Sequence, residues 1–197
     1  MSRRHCNNES QKGSARAGQV RLIAGRWRGR RLPVVSVPGL RPTGDRLRET
    51  LFNWLAPLLP GSRCLDLFAG SGALGLEAAS RGAREVVLLE YHNAAFEQLQ
   101  RHLAVLGNPP EVTVQCADAR RWLAQVPVPF DVVFIDPPWD SGWHEALLHQ
   151  VAAGWIGDGG RIFLEQPVTQ PAIDCPGLAV LRRAVYGRAR GTLYSPA

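Results

Sequence analysis

Arg63-Cys64-Leu65-Asp66-Leu67-Phe68-Ala69-Gly70-Ser71-Gly72-Ala73-Leu74-Gly75 starts as a short apolar run and breaks into glycines spaced Gly-x-Gly-x-x-Gly. The run reads as a buried strand, and a helix follows to about Arg81. Glycines accept positive φ and let a ligand approach the backbone, while the helix N-terminus favours an anion. Glu85 to Glu90 forms the next strand, and its closing carboxylate stands 20 residues after Gly70. That arrangement marks a cofactor site at the carboxyl edge of a parallel sheet, and taken alone it also fits a dinucleotide.

The alternation continues downstream. Helical spacing covers Asn93 to Leu106, Val112 to Cys116 is a strand, and Asp118 caps a short helix to about Gln125. Phe130 to Ile135 is a strand, Trp143 to Ala153 a helix, and Gly160 to Glu165 a further strand. Residues 178–186 and 188–194 make a hairpin across Gly187. Repeated strand–helix units imply right-handed crossovers and a mostly parallel, helix-covered sheet, closed here by an antiparallel strand. No internal repeat and no second core are visible.

Upstream, residues 1–18 are polar and nearly devoid of large apolar side chains, which predicts a disordered basic tail. Residues 19–60 form an extension before the main domain at 61–197. Val20 to Gly25 and Arg31 to Val35 read as two strands joined by Arg26-Trp27-Arg28-Gly29-Arg30. Arg26, Arg28, Arg30 and Arg31 around Trp27 suit phosphate contact and base stacking, so this arm is expected to bind nucleic acid. The plainer alternative is a solvated turn whose Trp27 packs on the domain. Asp45 is expected to cap a helix over 46–58, whose Leu47, Leu51, Trp54, Leu55 and Leu58 share a face. Arg41, Thr43 and Arg46 precede or open that helix and face either a ligand or solvent.

Charge supports the arm. The first 50 residues carry a net +9, the remaining 147 a net −3. All basic residues but Lys12 are arginines, which give bidentate phosphate contacts. The four cysteines form no Cys-x-x-Cys pair and lack zinc spacing. Cys64 and Cys116 are expected as free thiols in buried strands. With no signal-peptide core and no long apolar run, a soluble cytoplasmic protein in a reducing compartment is expected.

Asp66 bears on the choice of cofactor. A carboxylate four residues before Gly70 opposes a pyrophosphate but suits the ammonium of S-adenosylmethionine. Glu90 would then take the ribose hydroxyls, Asp118 the adenine amine and the Ala119 amide a ring nitrogen. The candidate cofactor residues are Asp66, Phe68, Gly70, Ser71, Gly72, Glu90, Asp118 and Ala119. Asp66 as a buried strand-end hydrogen-bonder and Asp118 as a mere cap are the plainer readings.

The strand over 130–135 runs into Asp136-Pro137-Pro138-Trp139. Two prolines keep the chain extended beyond the strand. An acid, a fixed carbonyl and a flat ring there suit a planar base bearing an exocyclic amine. The tetrapeptide resembles the (Asp/Asn)-Pro-Pro-aromatic motif of amino-directed methyltransferases that use S-adenosylmethionine. A Pro-rich turn with Trp139 as a core plug is the bland alternative.

Taken together, Arg41-Pro42-Thr43 with Asp45, Arg48 and Glu49, the segment from Asp66 to Gly75, and Asp136-Pro137-Pro138-Trp139 resemble the bacterial 16S ribosomal RNA guanine-N2 methyltransferase family (RsmD-like) over about residues 19–195. The resemblance implies a class I, Rossmann-like methyltransferase with a seven-stranded sheet and S-adenosylmethionine as cofactor, without a metal. It implies a guanine of 16S rRNA, in the 30S subunit or a late assembly intermediate, as substrate. Asp136 and the Pro137 carbonyl would hold the amine, Trp139 would stack on the flipped-out base, and Glu90 would bind the ribose. Position 139 is Trp where Phe or Tyr is commoner, and His92 stands where an Asp often occurs. A monomer is expected. Methylation of another base, or of a protein glutamine, is the alternative activity.

Overall fold

A hairpin of β1 (Gly18–Arg21) and β2 (Arg31–Val34) precedes α1 (Asp45–Leu55) in the computed structural model, which describes residues 18–34 and 44–197. Then come β3 (Arg63–Asp66), α2 (Gly75–Ser80), β4 (Glu85–Glu90), α3 (Asn93–Val105), β5 (Val112–Cys116) and α4 (Ala119–Trp122). The chain finishes with β6 (Phe130–Ile135), α5 (His144–Ala152), β7 (Ile156–Pro167), β8 (Leu178–Tyr186) and β9 (Ala189–Pro196). Seven strands form one sheet in the order β5-β4-β3-β6-β7-β9-β8, parallel from β5 to β7 and antiparallel in the last three. This is the doubly wound, closed-by-hairpin architecture that the alternating pattern predicts. The order reverses between β3 and β6, so their carboxyl ends open a crevice for a ligand.

Apolar side chains fill both faces of the sheet. Leu47, Leu51, Phe52 and Leu55 of α1 join Leu76, Leu88, Val132, Phe134 and Phe163 in one cluster. Leu65, Val133, Ile135, Leu147, Leu148 and Leu164 form the other, under α5. Close packing demands Gly75, where a Cβ would meet Leu88 Cδ2 at 2.0 Å. Leu22, Trp27 and Leu32 of the hairpin lie in the same buried cluster as Leu74 and Leu76.

Three local expectations are corrected. Gly44, not Asp45, is the N-cap of α1. The Asp45 carboxylate instead accepts from Arg48 Nη2 at 2.9 Å, because Arg48 is buried and needs a counter-charge. The strand expected at 160–165 begins earlier, since Ile156 pairs with Phe130 across a bulge. Cys64 and Cys175 are free and buried, whereas Cys116 is half-buried and disulfide-bonded. Among the described residues no helix is long and apolar enough to cross a membrane, and no cluster of metal-ligating side chains occurs. The tail at 1–17, Arg41 and Thr43 lie outside the described residues.

Candidate active site

The ends of β3, β4, β5 and β6 border one cavity of about 860 Å3. It is lined by Asp66, Phe68, Gly70 and Ser71 from the β3 side, Glu90 from β4, Asp118 and Ala119 from beyond β5, and Asp136, Pro137 and Trp139 from beyond β6. The two motifs lie about 65 residues apart in the chain and meet because β3 and β6 are hydrogen-bonded neighbours.

Glu90 organises the glycine-loop side of the cavity. Its Oε2 accepts the Gly70 amide at 2.8 Å and its Oε1 the His92 amide at 2.7 Å. Each carboxylate oxygen keeps a second lone pair for a ligand. Burial pushes the Glu90 pKa up, against the pull of those amides. Asp66 is fully buried; its Oδ2 accepts the Gly75 amide at 3.0 Å, the Phe68 amide also favours the carboxylate from nearby, and its Oδ1 makes no hydrogen bond of good geometry. Burial raises its pKa to about 7, with the nearby Glu90 charge adding to the effect. A cation donor in the cavity would satisfy that orphaned oxygen. Asp118 caps α4, accepting from the Arg120 amide at 2.9 Å. Burial pushes its pKa up, but the Arg120 side chain and the amides of Arg121 and Arg120 bring it below the usual value. At the first position of α4 the Ala119 amide has no intrahelical acceptor.

Gly72 stands apart from this group and does not line the cavity. At φ +81°, a Cβ there would strike Leu76 and Leu99 at 2.6 and 2.8 Å, so the glycine serves the packing of the loop on α3.

On the β6 side the Pro138 carbonyl accepts the Ser141 amide at 2.9 Å, whereas no described residue donates to the Pro137 carbonyl. Asp136 and Trp139 are each half-buried and face the same cavity as the glycine loop. Trp139 also packs on the core edge. Its carbonyl is held by Gln170 Nε2 at 3.0 Å.

The chain is similar to known proteins over nearly its whole length. Residues 20–195 match the family described as conserved hypothetical protein 95. The chain is 45% identical over 182 residues to the Escherichia coli strain K12 ribosomal RNA small subunit methyltransferase D, covering 90% of each chain. It is 41% identical over 181 residues to the protein of that name from Haemophilus influenzae, covering 90% of this chain and 94% of the other. A solved structure, the putative methyltransferase yhhF from Escherichia coli, is similar at a TM-score of 0.82 and 41% identity, over 91% of this chain and 98% of that one. The chain belongs to the ribosomal RNA small subunit methyltransferase D family.

In this family member the arm is docked rather than free. Ile23 and Ala24 donate their amides to the buried Glu77 carboxylate at 2.7 and 3.0 Å, and Arg26 and Trp27 donate theirs to Ser80. These partners lie along α2, with Ser80 at its C-terminal end, and α2 runs from the glycine loop toward the amino edge of the sheet. Arg26 pairs with Glu111, just before β5, and its guanidinium covers Trp27 at 4.0 Å from the ring centre. The hairpin tip therefore sits at the edge opposite the cavity; only Val34, at the far end of β2, reaches the cavity wall. Trp27 is 9% exposed and belongs to the core, which corrects its assignment as a base-stacking residue. Arg28, Arg30 and Arg31 are exposed, as is Arg46 on α1.

Sequence reasoning missed Trp143. Its ring stacks near Phe68, with centroids 6.4 Å apart, and the Arg120 guanidinium lies 4.1 Å from its centre. All three line the cavity. Its spacing of four from Trp139 was the available signal, but a Trp at a helix start reads equally as core.

Proposed function

We propose that this protein transfers a methyl group from S-adenosylmethionine to the exocyclic N2 of a guanine in 16S ribosomal RNA. The observation that carries the reading is that Asp136, Pro137 and Trp139 line the same cavity as Glu90, Asp66 and the glycine loop.

The residues present fit the cofactor. The unpartnered Asp66 Oδ1 would accept from an ammonium, the Glu90 carboxylate from ribose hydroxyls and Asp118 from an adenine amine, beside the Ala119 amide. S-adenosylmethionine supplies an activated methyl when bound. Loop amides near Gly70 and Ser71, with the stacked Phe68–Trp143 pair, would border it.

A guanine amine is a weak nucleophile because its lone pair is delocalised into the ring. Asp136 and the Pro137 carbonyl accept its two hydrogens, fix the nitrogen and favour a pyramidal geometry that exposes the lone pair. Positioning is the main contribution, and the Asp136 carboxylate stabilises the positive charge that develops on nitrogen. Trp139 stacks on the flipped base, offsetting by about 1–3 kcal/mol the few kcal/mol that extrusion costs. Arg28, Arg30 and Arg31 contact RNA away from the cavity mouth. The protein acts as a cytoplasmic monomer on the small subunit or a late assembly intermediate.

Mass spectrometry of small-subunit rRNA from cells lacking the protein tests this reading. One N2-methylguanine is expected to be missing and to return with the wild-type gene. An unchanged set of modified nucleotides would overturn the assignment.

A further inference from the structure

The β8–β9 turn lies at the same sheet edge as the cavity. Ala189, which opens β9, is paired with Pro167 at the end of β7, and Tyr186, which ends β8, is paired with Ala189. Three hydrogen bonds tie this turn to the motif loop. The Val168 amide donates to the Arg188 carbonyl at 3.0 Å, Arg190 Nη1 to the Gln170 carbonyl at 2.7 Å, and Gln170 Nε2 to the Trp139 carbonyl at 3.0 Å. The lip of the sheet is thus continuous with the loop carrying Asp136 and Trp139.

That lip and the strand behind it are basic and open. Arg46, Arg182 and Arg188 are exposed, and among the described residues none of them is in an ion pair. Arg182, Ala184 and Tyr186 are paired with Leu193, Gly191 and Ala189, so they share the sheet face that α1 covers. The Tyr186 hydroxyl meets Thr50 Oγ1 at 2.9 Å, and Arg46 precedes Thr50 by one helical turn on the same side of α1. Tyr186 remains 37% exposed. Protecting an edge strand from aggregation accounts for charge on β8. It does not account for the matching arginine on α1 or for an aromatic left open between them.

We propose that Arg46, Arg182, Tyr186 and Arg188 form a second RNA-contacting surface, which carries the single strand flanking the target base out of the cavity. The inference rests on the RNA methyltransferase reading above. With strands about 4.8 Å apart, β8 lies roughly 14 Å from β6, a few nucleotides from the base held by Asp136. Arginines there neutralise consecutive phosphates, and Tyr186 offers a ring edge or face to a base.

The test is methyl transfer to small ribosomal subunits purified from cells lacking the protein, measured at several KCl concentrations. In R182E/R188E the KM for subunits should rise at least tenfold at about 0.15 M salt, with S-adenosylhomocysteine affinity unchanged. The log–log salt slope should become shallower by about 1.4, two phosphate contacts at roughly 0.7 each. Tyr186→Ala should raise KM severalfold. An unchanged KM and slope in a folded R182E/R188E protein overturns the surface. So does an equal effect from R84E/R101E, a reversal of two exposed arginines elsewhere. Failure of the wild-type protein to methylate subunits would instead overturn the reading on which the surface rests, and that result needs no variant.

Discussion

The Glu90 carboxylate reaches back to the loop that precedes it by 20 residues, taking the Gly70 amide at 2.8 Å on one oxygen and the His92 amide at 2.7 Å on the other. One acid thereby sets the height of the glycine loop and the turn into α3. Glu90→Gln places an amide NH2 against one of those N–H groups, at a cost of about 1–3 kcal/mol. The variant is expected to melt earlier and to bind S-adenosylhomocysteine at least tenfold more weakly by calorimetry. Wild-type affinity would remove Glu90 from the cofactor site.

Asp66 gives the site a pH dependence. Burial raises its pKa from 3.8 to about 7 in the folded protein. Between those values the folded state binds more protons than the unfolded one, so this group's contribution to stability falls as pH rises from about 4 to 7 and stays low above. A ligand ammonium favours the ionised form, so cofactor affinity should increase as pH rises through about 7, with a proton released on binding. Calorimetry in buffers of different ionisation enthalpy reads that proton. Asp66→Asn should flatten the profile and stabilise the cofactor-free protein at pH 8 more than at pH 5. A flat wild-type profile from pH 6 to 8 would show that Asp66 does not meet a cation.

The strands, the crossovers and the closing hairpin were legible because apolar periodicity and glycine position dictate them locally. Glu90, Asp118 and Asp136 could be placed at one edge because each ends or follows a parallel strand. What the chain alone did not reveal depended on tertiary partners. Trp27 among arginines looks like a stacking residue until Ser80 and Glu77 draw the hairpin onto α2 and bury the indole. Gly72 fits the cofactor pattern, yet Leu76 and Leu99 occupy the space beside it. Arg182 and Arg188 read as a plain closing hairpin, since only the β7–β9 pairing brings the turn with Arg188 to the cavity's edge and sets Arg182 behind it, level with Phe163.

In the proposed reaction Asp136 and the Pro137 carbonyl would share the holding of the amine, and only the side chain carries charge. Asp136→Asn keeps an acceptor oxygen but removes the charge that faces the developing ammonium. A fall in kcat of about 10²–10³ is expected, with S-adenosylhomocysteine affinity unchanged. Single-turnover methylation of small subunits measures the first and calorimetry the second. Near-normal turnover would exclude charge stabilisation by this residue.

Trp27 offers the sharpest contrast between a stacking residue and a core residue. Its ring is 9% exposed beneath Arg26, and its amide donates to Ser80 Oγ at 3.0 Å. Truncating a buried Trp costs about 3–5 kcal/mol, and here the loss should fall first on the hairpin's grip on α2. Trp27→Ala is therefore expected to unfold at lower urea and to be cut by protease within residues 18–34. Trp27→Phe, which keeps a ring in place, should recover much of that loss. Affinity of the folded Trp27→Phe protein for small subunits should stay near wild type. A large drop in that affinity at unchanged stability would return Trp27 to the RNA surface and contradict its place in the core.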